Sequence, residues 1–437
     1  KAGLKPGDVL LEIDGEDLTG KTTEKVSELL RGEPGTSFLL KYERPGVAEP
    51  QTVKIVRENI QTPAVPYYGM YKGKTGYIVL SSFFEGCSRD VRRAFIDLKE
   101  KGATSLILDL RSNPGGLMNE AVDILSMFIP KGTEVVSTKG KLKQASSVSK
   151  TTKEPLDLEI PIAVLVNGNS ASASEIVAGA LQDLDRAVIV GERTYGKGLV
   201  QVIRELPYGG SLKVTTSKYY IPSGRCVQAI NYQKRSSDGQ VERIPDSLTH
   251  VFHTAGGRIV RDGGGVTPDI KPEEVKLPTM LFYLANDDVL FDYATDYCLK
   301  HPTIATPEKF EVSDEEYAEF KERVKKADFK YDRESEKALK ALREIAKVEG
   351  YTEEAKAEFD ALEKKLTHNL DRDLDHFSKE IKMLIADEII QRYYFQRGTI
   401  IQQLKDDKDV EKAYSTLTDL AAYKKILAPA DTVAVKK

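Results

Sequence analysis

The chain has 437 residues, 40% of them hydrophobic and 30% charged, with a net charge of -4. That length suits about three domains with real cores. Acids and bases are interspersed, which argues against a nucleic-acid partner, and no run approaches the roughly 18 to 20 uninterrupted apolar residues of a membrane-spanning helix. Cys87, Cys226 and Cys298 are far apart and odd in number, which excludes a disulfide framework or a CxxC metal pair and leaves each as a small core residue. A signal peptide or lipid anchor would lie upstream of Lys1, so these residues do not report the compartment.

The first region, 1–59, opens with AGLKPGDVLLEIDGEDL. A Pro-Gly turn precedes a strand from Val9 to Ile13, and Asp14-Gly15 signals a hairpin. A short helix follows, capped by Thr22 or Thr23 and ending at Leu30, with Val26, Leu29 and Leu30 on one face. Gly35 to Tyr42 and Gln51 to Val56 read as two more strands. The order resembles the later two-thirds of a PDZ domain, and the resemblance implies a fold in which a peptide C-terminus adds as a strand to a sheet edge.

The second region, 60–300, alternates strand-length apolar runs with helical patterns. TSLILDL (104–110) leads through RSNPGG into a helix with an apolar stripe at Leu117, Ala121, Ile124, Leu125 and Phe128. IPIAVLV (160–166) leads through NGNSAS into a helix with Ile176, Val177, Ala180 and Leu181, and AVIVGE (187–192) follows. Continuous apolar strands joined by amphipathic helices predict an α/β core around a mainly parallel sheet with both faces covered. The third region, 301–437, is helical and charged. Ser313 and Glu316 form a capping box, Thr352 caps a second helix, and the whole reads as a solvated helical appendage.

In a parallel sheet the loops after the strands share one edge, the usual place for a site. Three loops qualify: RSNPGG, NGNSAS and RTYGKG. Gly115 and Gly116 leave room for close approach, and consecutive amides before a helix can hold an anion. The serine loop sets a hydroxyl on a strand-to-helix turn crowded only by Ala and Gly; its plainer reading is helix capping by Ser172 or Ser174. Gly191 to Lys197 has the GxxxxGK spacing of a phosphate loop, but Gly198 replaces the required Ser or Thr and LVQVIREL reads as strand where that loop needs a helix. Lys197 is instead a candidate base facing Ser172. A lysine acts as a base only when neutral, and burial beside apolar groups favours that form. His250 and His253 are spaced HxxH without a third ligand and read as surface histidines, so no metal is expected.

SASASEI, DLRSNPGG and YGKGLVQ together resemble the signature stretches of the C-terminal (tail-specific) processing peptidases, a family of Ser-Lys dyad serine peptidases with a PDZ domain. The resemblance implies a crotonase-like and ClpP-like core, with Ser172 as nucleophile, Lys197 as base and Gln201 orienting the lysine. It implies an oxyanion hole from the backbone NH of Ala173 and of Gly115 or Gly116, and no cofactor. It further implies polypeptide substrates bound by their C-terminal region, a periplasmic or cell-envelope location, and room for a homo-oligomer. The competing reading is a catalytically idle PDZ-containing scaffold.

Overall fold

The computed structural model describes residues 2–60, 62–235, 241–272, 277–366 and 369–429. In chain order, β1 (Val9–Ile13), β2 (Glu16–Asp17), α1 (Thr23–Leu30), β3 (Ser37–Glu43) and β4 (Gln51–Val56) build a four-stranded sheet in the order β2-β1-β3-β4 with one helix. Thr22 caps α1, and Val26, Leu29 and Leu30 pack on Ile13, Leu18, Phe38 and Leu40. The alternation of buried and exposed residues along β3 is that of a sheet with one solvated face.

Next come β5 (Tyr67–Tyr71), β6 (Thr75–Val79), α2 (Cys87–Glu100), β7 (Ser105–Asp109) and α3 (Met118–Leu125). They are followed by β8 (Glu134–Gly140), β9 (Ser147–Lys150), β10 (Ile162–Val166), α4 (Ala173–Asp183) and β11 (Val188–Gly191). A five-stranded sheet runs β11-β10-β7-β6-β5, with its first three pairings parallel and β5 added antiparallel at the edge. The strands β12 (Leu199–Glu205) and β13 (Ser211–Tyr220) join β8 and β9 in a separate antiparallel sheet, β12-β13-β8-β9. Two short hairpins, β14 (Ile230–Arg235) with β15 (Val241–Arg243) and β16 (Val251–His253) with β17 (Ile259–Arg261), complete the strands. The fold is mixed α/β, with parallel pairing in one of its sheets.

Every residue of β7 and β10 is buried. Ile162, Val164 and Val166 pack with Ala121, Ile124, Ile176, Val177 and Leu181 of α3 and α4, in one core with α2. By the two-residue period of the strand, Ala163 and Leu165 point to the opposite face, which also needs a cover. Leu117 departs from its expected place on the α3 stripe: it is the N-cap and is 44% exposed.

Helices α5 (Thr279–Asn286), α6 (Asp288–Lys300), α7 (Asp314–Lys326), α8 (Glu334–Glu349), α9 (Lys356–Leu366), α10 (Leu370–His376) and α11 (Ser378–Gln403) follow. Ser313 and Glu316 form the expected capping box at α7. Thr352 lies in a turn before α9 rather than capping it, because the helix starts four residues later at Lys356. The last helices among the described residues are α12 (Lys408–Thr418) and α13 (Leu420–Leu427).

By contacts the chain divides into Lys1–Gln61 with Glu274–Lys405, and Thr62–Glu273 with Asp406–Lys437. This redraws the expected 60–300 and 301–437 regions at both ends. Helices α5 and α6 leave the sheet unit because Met280, Leu284, Leu290 and Tyr293 share a core with Phe320, Ile385 and Ile389. Helices α12 and α13 return to it, packing on β7, β10 and β11, with Val410, Ala413, Leu417 and Tyr423 buried. They are the cover of the second sheet face. The last eight positions of the expected extension, 430–437, lie outside the described residues. Of the cysteines Cys87 is buried, whereas Cys226 and Cys298 are half-buried.

Candidate active site

The loops after β7 and β10 are laced together by side chains too short to reach elsewhere. Ser170 Oγ donates to the Leu110 carbonyl at 2.8 Å and accepts from the Asn167 NH at 2.9 Å. Ser174 Oγ donates to the Asn113 carbonyl at 2.9 Å, where the Ala171 NH also arrives at 3.0 Å. Asn113, fully buried, donates from Nδ2 to the Leu80 carbonyl at 2.7 Å and accepts from the Gly115 NH at 2.9 Å. Two of the three serines are therefore structural ties.

Ser172 differs from both. It is half-buried at the N-cap of α4 with φ 56° and ψ -114°, a conformation costing a non-glycine residue about 1 to 3 kcal/mol. Its backbone holds the turn: its NH donates to Glu175 Oε2 at 2.9 Å and its carbonyl accepts from the Glu175 NH at 2.9 Å. Gly115, at φ 93°, backs onto this turn, where a Cβ would lie 2.6 Å from the Ala171 carbonyl and 2.8 Å from Ser172 Cβ. Gly116, at φ 149°, lies against Phe83, whose carbonyl oxygen would be 2.4 Å from a Cβ. Both positions are closed to side chains. The Gly115 NH already has Asn113 as acceptor, whereas the NH groups of Gly116 and Ala173 bond to no other group among the described residues.

Lys197 is half-buried in the loop before β12. Its flanking glycines let the backbone press on the segment at 228–229: a Cβ on Gly196 would lie 2.2 Å from Ala229 Cβ, and one on Gly198 would lie 2.7 Å from the Gln228 nitrogen. The Tyr195 NH reaches the Ser170 carbonyl at 3.0 Å, tying this loop to the serine loop. Among the described residues no hydrogen bond joins Ser172 Oγ to Lys197 Nζ. Gln201 is exposed on β12, just past a register shift at Val200/Gln201, and among the described residues no hydrogen bond joins it to Lys197. Its side chain faces solvent, and the expected lysine-orienting bond is not made here.

The side chain that binds both loops through four donors is Glu175, fully buried. Its Oε1 accepts from Thr194 Oγ1 at 2.6 Å and the Gly196 NH at 2.7 Å; its Oε2 accepts from the NH of Lys197 at 2.8 Å and of Ser172 at 2.9 Å. Burial pushes this carboxyl above its ordinary range, and the four donors oppose that by favouring the charged form. Tyr219 adds a second tie: its hydroxyl donates to the Lys197 carbonyl at 2.5 Å and lies 3.1 Å from the Ser172 carbonyl. Burial holds this phenol well above its usual pKa, so it stays a donor. Sequence reasoning overlooked both residues, although Ser172 and Glu175 have the S-x-x-E spacing of a capping box. Tyr219 had no local signal. His250 is exposed and pairs with Asp262 at 3.1 Å.

Residues 74–234 match the profile described as peptidase family S41. Residues 1–44 match a PDZ domain, and 280–417 match "Probable PDZ-protease, C-terminal helical domain". The chain belongs to peptidase family S41. A carboxy-terminal-processing protease of Bartonella bacilliformis is 43% identical over 234 residues, which cover 53% of this chain and 53% of that protein. A probable CtpA-like serine protease of Staphylococcus aureus is 34% identical over 303 residues, covering 69% of this chain and 58% of the relative. The chain thus spans little more than half the length of these S41 relatives. The photosystem II D1 C-terminal processing protease, a solved structure, overlays with a TM-score of 0.37 at 27% identity, over 62% of this chain and 64% of its own.

Proposed function

We propose that this S41 chain is a serine endopeptidase that cleaves polypeptides near their C-terminus through a Ser172-Lys197 dyad, on a crotonase-like and ClpP-like core. The carrying observation is the Glu175 carboxylate, which binds the backbone of both dyad residues at once. Ser172 Oγ attacks the scissile carbonyl while Lys197 Nζ takes its proton; the C–N bond then breaks as the lysine protonates the leaving amine, and water, activated by the same lysine, releases the acyl group. The carbonyl oxygen, negative in the intermediate, falls to the NH groups of Ala173 and Gly116. Gly115 shapes the hole by lacking a side chain rather than by donating. Gln201 orients the lysine once β12 brings it round, a step that substrate binding would supply.

An idle scaffold has no use for a strained serine beside two unpaired amides, which weighs against that alternative. Polypeptide substrates held by their C-terminal region, a periplasmic or cell-envelope location and a homo-oligomeric form belong to the same proposal. No described helix is long and apolar enough to cross a membrane.

Cleavage of an unfolded protein with an apolar C-terminus tests the assignment. Ser172→Ala and Lys197→Ala are each expected to lose cleavage by three orders of magnitude or so while keeping the parental melting temperature; equal cleavage by all three chains sinks it. Tyr219→Phe leaves the Lys197 and Ser172 carbonyls without their shared donor. It is expected to cost about 1 to 2 kcal/mol in thermal unfolding and to slow kcat several-fold, an idea contradicted by a variant with parental kcat.

A further inference from the structure

We propose that Asp407 and Asp409, at the start of α12, are positioning residues for the oxyanion loop and act on it through Arg111. The inference rests on the peptidase reading above. Arg111 is the first residue of the loop that carries Asn113, Gly115 and Gly116. Its guanidinium is gripped from two sides. Asp109, on β7, accepts from Nε at 3.1 Å and from Nη2 at 2.6 Å. Asp407 accepts from Nη2 at 2.6 Å and Nη1 at 3.1 Å, and Asp409 from Nη1 at 3.2 Å. Asp109 is itself held by the Tyr77 hydroxyl at 2.7 Å and by the Arg111 NH at 2.9 Å.

Asp407 and Asp409 are not the only anchors of the helix. Val410, Ala413 and Leu417 are buried beneath it, and Glu411 is separately tied to Tyr71 and Lys72. A partly buried ion network is weak evidence for stability, because desolvation offsets much of the attraction. What this network does supply is direction. An arginine fork held by two carboxylates in a planar, bidentate manner has little rotational freedom, so the backbone at 111 is pinned. Ser112 follows at φ 57°, with its NH on Asn167 Oδ1 at 2.8 Å. Asn113 comes next, with its carbonyl receiving Ser174 Oγ and its Oδ1 receiving the Gly115 NH. Five residues from the guanidinium's own backbone stands the Gly116 NH, where a small displacement falls on the transition state rather than on the bound substrate.

The test compares kcat and KM on an unfolded protein substrate for the full chain, Ser172→Ala, Asp407→Asn, Asp409→Asn, the double Asp407→Asn/Asp409→Asn, and Glu411→Gln. Asparagine at 407 can still cap α12, whose Asp409 and Val410 NH groups bond the Asp407 side chain, but it withdraws the charge from Arg111. Glu411→Gln loosens the same helix without touching Arg111. The double variant is expected to lower kcat about tenfold with KM within about twofold of the parent, the signature of an interaction made in the transition state; Glu411→Gln is expected to keep parental kcat. A double variant with parental kcat overturns the inference, as does an equal fall in Glu411→Gln, which would reduce the effect to helix docking. If the double variant loses its folding transition, Asp409→Asn, which reaches the guanidinium through one 3.2 Å contact, carries the test with the same two outcomes. A parent that cleaves no faster than Ser172→Ala overturns the peptidase reading and this inference with it, whereas an active parent matched by the double variant overturns the inference alone.

Discussion

Glu175→Gln is expected to remove cleavage by about 100-fold or more and to lower the melting temperature, although the side chain changes by one atom. The carboxylate accepts two donors on each oxygen. An amide keeps one of those oxygens and turns the other into a donor. If the NH2 replaces Oε2, the Ser172 and Lys197 amides both lose their acceptor. If it replaces Oε1, the Gly196 NH is orphaned, while Thr194 can adapt by accepting, since a hydroxyl does both. The second arrangement is the cheaper, at about 1 to 3 kcal/mol for the orphaned buried group. In the first arrangement the two loops lose their shared acceptor; in the second the Ser172 and Lys197 amides keep it, and the turn shifts at the orphaned Gly196 NH next to Lys197. A displacement near 1 Å at a reacting group costs about 100-fold in rate. Kinetics with an unfolded substrate, together with thermal unfolding, would check it. Parental kcat in this variant would mean that the loops hold their geometry without the carboxylate.

Removal of residues 406–437 is expected to unfold the unit that holds the site, leaving the sequence motifs intact and inactive. Val410, Ala413, Leu417 and Tyr423 are buried on the face of the sheet opposite α3 and α4, and the Tyr423 hydroxyl donates to the Ile162 carbonyl at 3.3 Å while accepting from the Ile162 NH at 3.1 Å. Burying three or four such side chains against a matching strand face contributes about 5 to 10 kcal/mol. That is comparable to the whole stability of a typical domain, about 5 to 15 kcal/mol. Circular dichroism of the shortened chain should show no cooperative melt for this unit, and protease digestion should degrade 62–273 first. A shortened chain that melts cooperatively within a few degrees of the parent and still cleaves would show that the sheet is covered sufficiently from one side.

Local sequence pattern specifies much of this fold and stops short at identifiable places. The runs at 105–109 and 162–166 announce strands buried on both faces, because no polar residue lies between Ser105 and Asp109 or between Glu159 and Asn167. They also implied a second covering layer without saying where it came from. That layer lies more than two hundred residues downstream, and amphipathic periodicity records that a helix has an apolar face, not which sheet receives it. The same blindness set the boundary at 300 instead of near 274 and made one appendage of helices that serve two cores. Thr352 met the composition rule for a cap, yet the chain makes an extra turn before α9.

The sequence by itself determined the identities and spacings on which the proposed chemistry rests: Ser172 on a strand-to-helix turn among small residues, Lys197 between glycines 25 residues later, and Gly115-Gly116 opening the neighbouring loop. These are short-range facts of composition and chain geometry. Only the tertiary structure decided how the parts are held and which of them are available. It occupied Ser170 and Ser174 as ties, placed an acceptor on the Gly115 NH while leaving those of Gly116 and Ala173 open, and turned Gln201 to solvent. It also brought Glu175, Tyr219 and Asp407 to bear on loops far from them in the chain. The physical reason is that a hydrogen bond is settled within about 3 Å of space, and which groups come that close depends on the packing of every layer around them.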